Sequence, residues 1–328
     1  MLRVAMLSKW HVHAADYANQ VRAIENVKIT AVWDEDAQRG ADWARELNAD
    51  FEADLDILLA RADVDAVIVG TPTNMHASVM VAAANAGKHI FTEKVMAVTV
   101  AECKKIAEAV KKAGVKFCIS FPHRTFPHNL FAKKVAEEKL IGDITLMRVR
   151  NAHNGATAGW LPEYFYDRTL CGGGAMMDLG AHPMYLARWI LGKPVSISSV
   201  FSSYMGKGVE DNAVSVIEFQ NKAIAIAETG FVSSHSPCAL ELYGTEGSLL
   251  IGGPDGKVQM ASNKLKTTVE GWVAPFNLPK QLPSSIQQWI AGILNGEEIH
   301  FGLDEGIQLT ELMEAAYISH DEKRKIYF

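Results

Sequence analysis

Asp178 and His182 stand four residues apart behind Gly172-Gly173-Gly174, and Lys94 follows Glu93 after the apolar pair Ile90-Phe91. At helical spacing, residues four apart share a face. A carboxylate beside a near-neutral imidazole makes an acid/base pair able to take a proton from a hydroxyl. A lysine at a strand end can polarise a reacting oxygen or stabilise developing alkoxide charge. The three glycines would let backbone come close to a bound molecule. Taken singly, Asp178 reads more readily as a helix cap, His182 as a buried, satisfied histidine and Lys94 as a solvated charge. Their setting in the chain decides.

Met184, Tyr185, Leu186, Trp189, Ile190 and Leu191 continue a helical pattern, which predicts one helix running on from near Ala175. Upstream, strand-like runs at Leu2–Leu7, Val27–Trp33, Ala66–Val69, 89–91 and 116–119 alternate with helical stretches at 14–24, 37–47, 55–59, 78–86 and 100–112. Such alternation implies a parallel, doubly wound sheet that binds ligands at the carboxyl ends of its strands. A helix over 129–139 and a strand over 144–149 follow. From 196 to 262 the chain is strand-rich, predicting a large, mostly antiparallel sheet with one face packed by the helix near Ala175. Helices at 284–294 and 306–319 and a short strand at 325–328 close the chain. The fold class is α/β: a dinucleotide-binding Rossmann domain over 1–120, then an α+β domain over 121–328 for substrate binding and oligomerisation.

The 328 residues suit two domains, and 48% hydrophobic composition is ample for their cores. A net charge of -6, from 32 basic and 38 acidic residues without a long basic run, argues against nucleic acid or an anionic membrane as partner. Cys103, Cys118, Cys171 and Cys238 have no metal-ligand or disulfide-framework spacing, so no metal is expected and a cytoplasmic location is the simplest account. No secretion signal or stretch of eighteen apolar residues is visible.

The strand ends carry polar residues. After the first strand, Ser8, Trp10 and His13 occupy the places of the glycines in G-x-G-x-x-G, so a cofactor would meet side chains of Ser8, Trp10 and His11 or a weakened site. Asp34 ends the second strand, where an acidic side chain binds adenine-ribose hydroxyls and repels a 2′-phosphate, favouring NAD over NADP. Asp34 could instead cap the next helix, and Arg39 could meet a 2′-phosphate.

The sequence Gly70-Thr71-Pro72-Thr73-Asn74-Met75-His76, a helix, Ala86-Gly87-Lys88-His89-Ile90-Phe91, then Glu93-Lys94, resembles the Gfo/Idh/MocA family. Gly173, Gly174, Asp178, Gly180 and His182 fit that family's later G-G-x-x-x-D-x-G-x-H. The resemblance spans the chain in order. It implies that Thr71, Pro72, Asn74 and His76, with Glu93 and Lys94, line the cofactor, that Arg124 faces the pocket, and that the open face of the second sheet forms a homodimer or homotetramer. Two departures stand out: Val95 replaces the family's proline after Glu-Lys, and the glycine loop is missing. The aromatic-rich stretch after residue 150 suits a sugar or cyclitol, whose ring face stacks while its hydroxyls need partners, which nominates His153, Asn154, Trp160 and Tyr166.

The leading expectation is an NAD-dependent oxidoreductase acting on a secondary hydroxyl of a sugar, sugar acid or cyclitol. In it His182 takes the proton, Asp178 orients and charges the imidazole, and Lys94 polarises the oxygen. Two alternatives are a glycoside lyase or hydrolase using NAD transiently, and a non-catalytic sugar-responsive binding protein.

Overall fold

A computed structural model describes residues 1–264, 271–275 and 277–328. These form two compact units, Met1–Phe121 with Pro283–Thr310, and Pro122–Leu282 with Glu311–Phe328.

The first unit opens with β1 (Leu2–Leu7), α1 (Ala14–Arg22), β2 (Val27–Trp33), α2 (Ala37–Leu47), β3 (Asp50–Phe51) and α3 (Leu55–Ala60). It continues with β4 (Ala66–Val69), α4 (His76–Asn85), β5 (His89–Thr92), α5 (Val100–Ala113) and β6 (Phe117–Ile119). The six strands are parallel in the order β3-β2-β1-β4-β5-β6. All of β4 and nearly all of β1 are buried, as continuous apolar runs between two helical layers must be. Helix starts follow local chemistry. The Asp36 carboxylate accepts the N–H groups of Gln38 and Arg39 at α2, and Thr99 with Glu102 forms a capping box at α5. The strand order reverses between β1 and β4, which places the ends of β1, β4 and β5 side by side. Gly70 permits this approach, since a Cβ there would stand 2.8 Å from the Ser8 carbonyl oxygen.

The second unit contains α6 (Pro127–Glu137), β7 (Ile144–Ala152), α7 (Arg168–Cys171), α8 (Ala175–Asp178), α9 (Ala181–Leu191) and β8 (Pro194–Ser202). Then come β9 (Asn212–Phe219), β10 (Ile224–Gly230), β11 (Ala239–Gly244), β12 (Gly247–Gly252) and β13 (Lys257–Ser262). Helix α10 (Ser285–Leu294) belongs to the first unit. Helix α11 (Leu303–Glu322) begins there and ends in the second, where β14 (Ile326–Tyr327) follows. The eight-stranded sheet runs β13-β12-β11-β7-β10-β9-β8-β14, and only its β7–β10 pair is parallel. Helices α8 and α9 pack on one face. On β9 the residues alternate, with Ala213, Ser215 and Ile217 buried beneath the helices and Val214 and Val216 exposed on the other side.

The single helix expected from Ala175 is two. Gly180 N–H reaches back five residues to Ala175 O, whereas His182 N–H reaches only three, to Leu179 O. Pro183 has no N–H to give Leu179 O the regular bond, so the ladder breaks between α8 and α9. Asp178 and His182 therefore sit on consecutive helices.

Candidate active site

In the first unit, the ends of β1, β4 and β5 gather most of the residues singled out from sequence. Glu93 is buried and accepts hydrogen bonds from the Lys94 N–H at 2.8 Å and from the Tyr17 hydroxyl. Ser120 Oγ lies 2.9 Å from the same hydroxyl. Glu93 thus fixes the backbone that carries Lys94, itself buried at 7% exposure. The Lys94–Val95 peptide is cis. His76 is buried between two carbonyl oxygens, Val95 O 3.0 Å from Nδ1 and Thr71 O 3.2 Å from Nε2, and so ties the end of β4 to the end of β5. Burial lowers its pKa.

The loop after β1 is held by its own groups. Ser8 takes the left-handed conformation that glycine usually supplies, and its Oγ accepts the Trp10 N–H at 3.0 Å. The Lys9 N–H goes to Asp34, the His11 N–H to Gly70 O, and the His13 N–H to His11 Nδ1 at 3.2 Å. A backbone N–H only donates, so neutral His11 carries its proton on Nε2. Burial, then the charges of Lys94, His13 and His76, hold His11 well below the usual imidazole range. Trp10 is packed inward at 6% exposure.

Asp34 does not cap α2, which is the role of Asp36. Its carboxylate is fully buried and accepts the Lys9 and Asp36 N–H groups and the fork of Arg39, with Arg39 Nη2 2.6 Å from Oδ1. Arg39 also pairs with Glu35. The acidic group expected to meet a ribose is thus covered by an arginine.

Two features of this edge fit a dinucleotide. Among the described residues no side chain caps the start of α1, whose first turn and positive dipole end lie after β1, the arrangement that receives a pyrophosphate. Thr71 Oγ1, at the end of β4, is buried and has no hydrogen-bond partner among the described residues. A buried orphan hydroxyl is costly unless a bound group completes it. Pro72 precedes the short 3-10 turn Thr73–Met75 that carries Asn74 on the same edge.

In the second unit, His182 Nδ1 lies 2.7 Å from the Tyr185 hydroxyl, and the His123 N–H donates to the same oxygen at 3.1 Å. The His123 ring stacks on His182 with centroids 4.1 Å apart and planes 17° apart. Asn151, at the end of β7, donates to Leu179 O at 3.4 Å. His153 follows, accepting the Gly155 N–H on Nδ1 and stacked on Phe231. Burial lowers its pKa, and the nearby Asp178 carboxylate partly offsets this. Asp178 and His153 are therefore near each other. Trp160, 56% exposed, lies against His153 with ring centroids 4.6 Å apart, and half-buried Asn154 reaches Ser234.

Three groups make protein contacts that the sequence did not indicate. Tyr166 is part of a buried cluster with Leu161, Phe165, Ala175, Val209 and Phe231, its ring covered by Lys207. The Arg124 guanidinium lies over the Trp189 ring at 5.0 Å. The glycine run faces protein: a Cβ on Gly173 would overlap the Tyr317 hydroxyl, and one on Gly174 would overlap Glu210 O. Glu210, buried, accepts the Gly174 and Met176 N–H groups at 2.8 and 3.0 Å and the Tyr317 hydroxyl at 2.5 Å. It anchors the turn that leads into Asp178.

Sequence reasoning missed Tyr17, Ser120, His123, Tyr185, Glu210 and Tyr317. Only Tyr185 carried a usable signal, its spacing of three from His182. Among the described residues no His/Cys/Asp/Glu group could hold a metal ion, and no helix is long and apolar enough to cross a membrane.

Residues 9–121 match a family described as an oxidoreductase family with an NAD-binding Rossmann fold, and residues 130–250 match the GFO/IDH/MocA C-terminal domain. An uncharacterized oxidoreductase, YrbE, of Bacillus subtilis is 30% identical over 268 residues, covering 79% of this chain and 74% of that protein. Inositol 2-dehydrogenase of Rhizobium meliloti is 27% identical over 289 residues, covering 83% of each. Among solved structures, GenD2 from gentamicin A biosynthesis, in complex with NAD, superposes with a TM-score of 0.84 at 25% identity, covering 100% of this chain and 96% of that one.

Proposed function

The chain belongs to the Gfo/Idh/MocA family of oxidoreductases with an NAD-binding Rossmann fold, and from that premise we propose that it oxidises a secondary hydroxyl of a cyclitol or sugar, or reduces the matching carbonyl. The observation that carries this reading is the pairing, at adjacent strand ends, of Lys94 on a Glu93-anchored backbone with the orphaned Thr71 hydroxyl. The inositol dehydrogenase among the relatives supports the substrate class.

NAD, when bound, supplies a nicotinamide ring that exchanges hydride with a carbon. The α1 start would hold its pyrophosphate, Thr71 and Asn74 its nicotinamide side, and Arg39 with Asp34 its adenine ribose. The chain's own work is positioning and proton handling. The Lys94 ammonium donates to the substrate oxygen and stabilises its negative charge, while His11, with its proton on Nε2, adds an uncharged donor near Lys94. His182 accepts the hydroxyl proton, and the Asp178 carboxylate favours the positive charge formed nearby. His153 and Trp160 offer ring faces to the substrate.

The exposed valines of β9, at 38% and 39%, with Ile224 on β10 at 39%, support a homodimer or homotetramer through the open face of the second sheet. Four cysteines without a disulfide fit a reducing compartment, and we place the protein in the cytoplasm.

The test is absorbance at 340 nm with NAD and a panel of cyclitols and sugars, run on the wild-type protein and Lys94→Ala. Turnover of a panel member lost at least 100-fold in Lys94→Ala is expected. Turnover retained in that variant overturns the assignment.

A further inference from the structure

We propose that the cavity beside the Glu210 carboxylate is a binding site for a small organic ammonium ion. No side chain that lines it is assigned to the hydride transfer, so the two readings are tested separately.

The cavity lies wholly within the second unit and measures about 370 Å³, within the range of small-ligand pockets. Glu210, Phe201, Tyr317 and His320 line it, with Arg168 and Asp321. Glu210 is 9% exposed, and its two carboxylate oxygens are used unequally. Oε1 receives three donors, the Gly174 and Met176 N–H groups and the Tyr317 hydroxyl. Oε2 receives none among the described residues and is not sealed inside the protein, so it opens on the cavity. An ionised carboxylate has lone pairs on both oxygens, and a confined oxygen without a donor is costly until one arrives.

Charge selects the kind of donor. Among the described residues Glu210 has no ion-pair partner, and the nearby cations are taken, Arg168 by Asp321 at 3.2 Å and Lys207 by Glu163 at 2.7 Å. With Arg168 and Asp321 cancelling, the Glu210 charge stands alone in the cavity. A neutral hydroxyl could meet Oε2 but would leave that charge unbalanced, whereas an ammonium group supplies donor and charge together. The walls suit a cation: His320 stacks on Phe201 with centroids 4.8 Å apart, and Tyr317 meets Phe201 edge-on at 5.1 Å. Aromatic rings beside a carboxylate attract organic cations. A metal ion does not fit, since no His/Cys/Asp/Glu group among the described residues could hold one.

The probe is benzylamine, with benzyl alcohol as its uncharged twin, each titrated into the full-length protein near neutral pH by calorimetry. Benzylamine is expected to bind with a Kd of about 1–10 mM, and benzyl alcohol roughly 10-fold or more weaker, the weight of a hydrogen bond to a charge. Glu210→Gln, which removes the charge, is expected to abolish that preference. Location is read from protein labelled with nitrogen-15 in histidine: the His320 ring signals, assigned by their loss in His320→Gln, should shift as benzylamine is added. Absence of binding, equal binding of the alcohol or an unresponsive His320 ring overturns the proposal, and so does a preference retained in Glu210→Gln. The wild-type titrations and the His320 response decide even if Glu210→Gln fails to fold.

Discussion

Gly173→Ala tests whether the glycine run is built for protein packing. A methyl group there would stand 2.8 Å from Tyr317 Cε1 and closer still to the Tyr317 hydroxyl. Tyr317 has little room to move: it is 9% exposed, its ring meets Phe201 edge-on, and its hydroxyl is 2.5 Å from Glu210 Oε1. Accommodating the methyl must push that hydroxyl off the carboxylate. Losing a hydrogen bond to a buried charge costs about 1.5–3 kcal/mol, and overpacking adds about 1–3 kcal/mol, for a total of about 3–6 kcal/mol. That is a large part of a typical domain's stability and, at roughly 2–4 °C per kcal/mol, corresponds to a drop in melting temperature of about 6 °C or more. The assay is calorimetric melting of Gly173→Ala beside the wild-type protein, with Tyr317→Phe expected to lose the hydrogen-bond share alone, about 1–3 kcal/mol. A Gly173→Ala protein melting within about 2 °C of wild type would refute this packing account, and if it also bound no substrate, the glycines would face a ligand after all.

Asp34→Ser should shift coenzyme preference toward NADP by roughly 10- to 100-fold in the ratio of kcat/KM values, since it removes the charge that holds Arg39 and leaves the guanidinium for a 2′-phosphate; an unchanged ratio counts against the adenine-ribose assignment. Glu93→Gln keeps the shape but weakens the acceptor of the Lys94 N–H and Tyr17 hydroxyl, so kcat should fall roughly 10-fold while the fold survives, as read by steady-state kinetics and circular dichroism. His11 and His76 both have pKa values below that of an unfolded histidine. The unfolded chain therefore binds more protons as pH drops through about 6.5, and stability should decline below that pH at up to about 1.4 kcal/mol per unit for each group. Urea titrations from pH 8 to pH 5 should show this decline, with a shallower slope in His11→Asn; equal slopes would mean His11 titrates normally.

The fold was readable because most strands and helices of the first third, the two-residue β3 excepted, show as short apolar or amphipathic runs, and in β9 alternation alone separates Ala213 and Ile217 from Val214 and Val216. Lys94 and Thr71 were readable because a parallel sheet puts function at strand ends. What one sequence leaves open is the direction in which side chains face. Three glycines signal close approach but not whether the neighbour is a ligand or Tyr317, which lies more than a hundred residues later in the chain. Helical spacing placed Asp178 and His182 on one helix, yet Pro183 and the long Gly180 bond split it. Asp34 stood where a ribose carboxylate belongs, but a single sequence does not reveal that Arg39 folds over it. Tyr166 resembled a stacking platform, and its burial depends on Val209 and Phe231 from distant strands.

The most direct measurement follows a label. A cyclitol or sugar deuterated at its reacting carbon is incubated with the protein and NAD, and the nicotinamide is examined by NMR. Deuterium is expected at nicotinamide C4, on one face, in step with carbonyl product. Deuterium appearing only in product or water, with no label on the nicotinamide that leaves the protein, would contradict a net redox reaction.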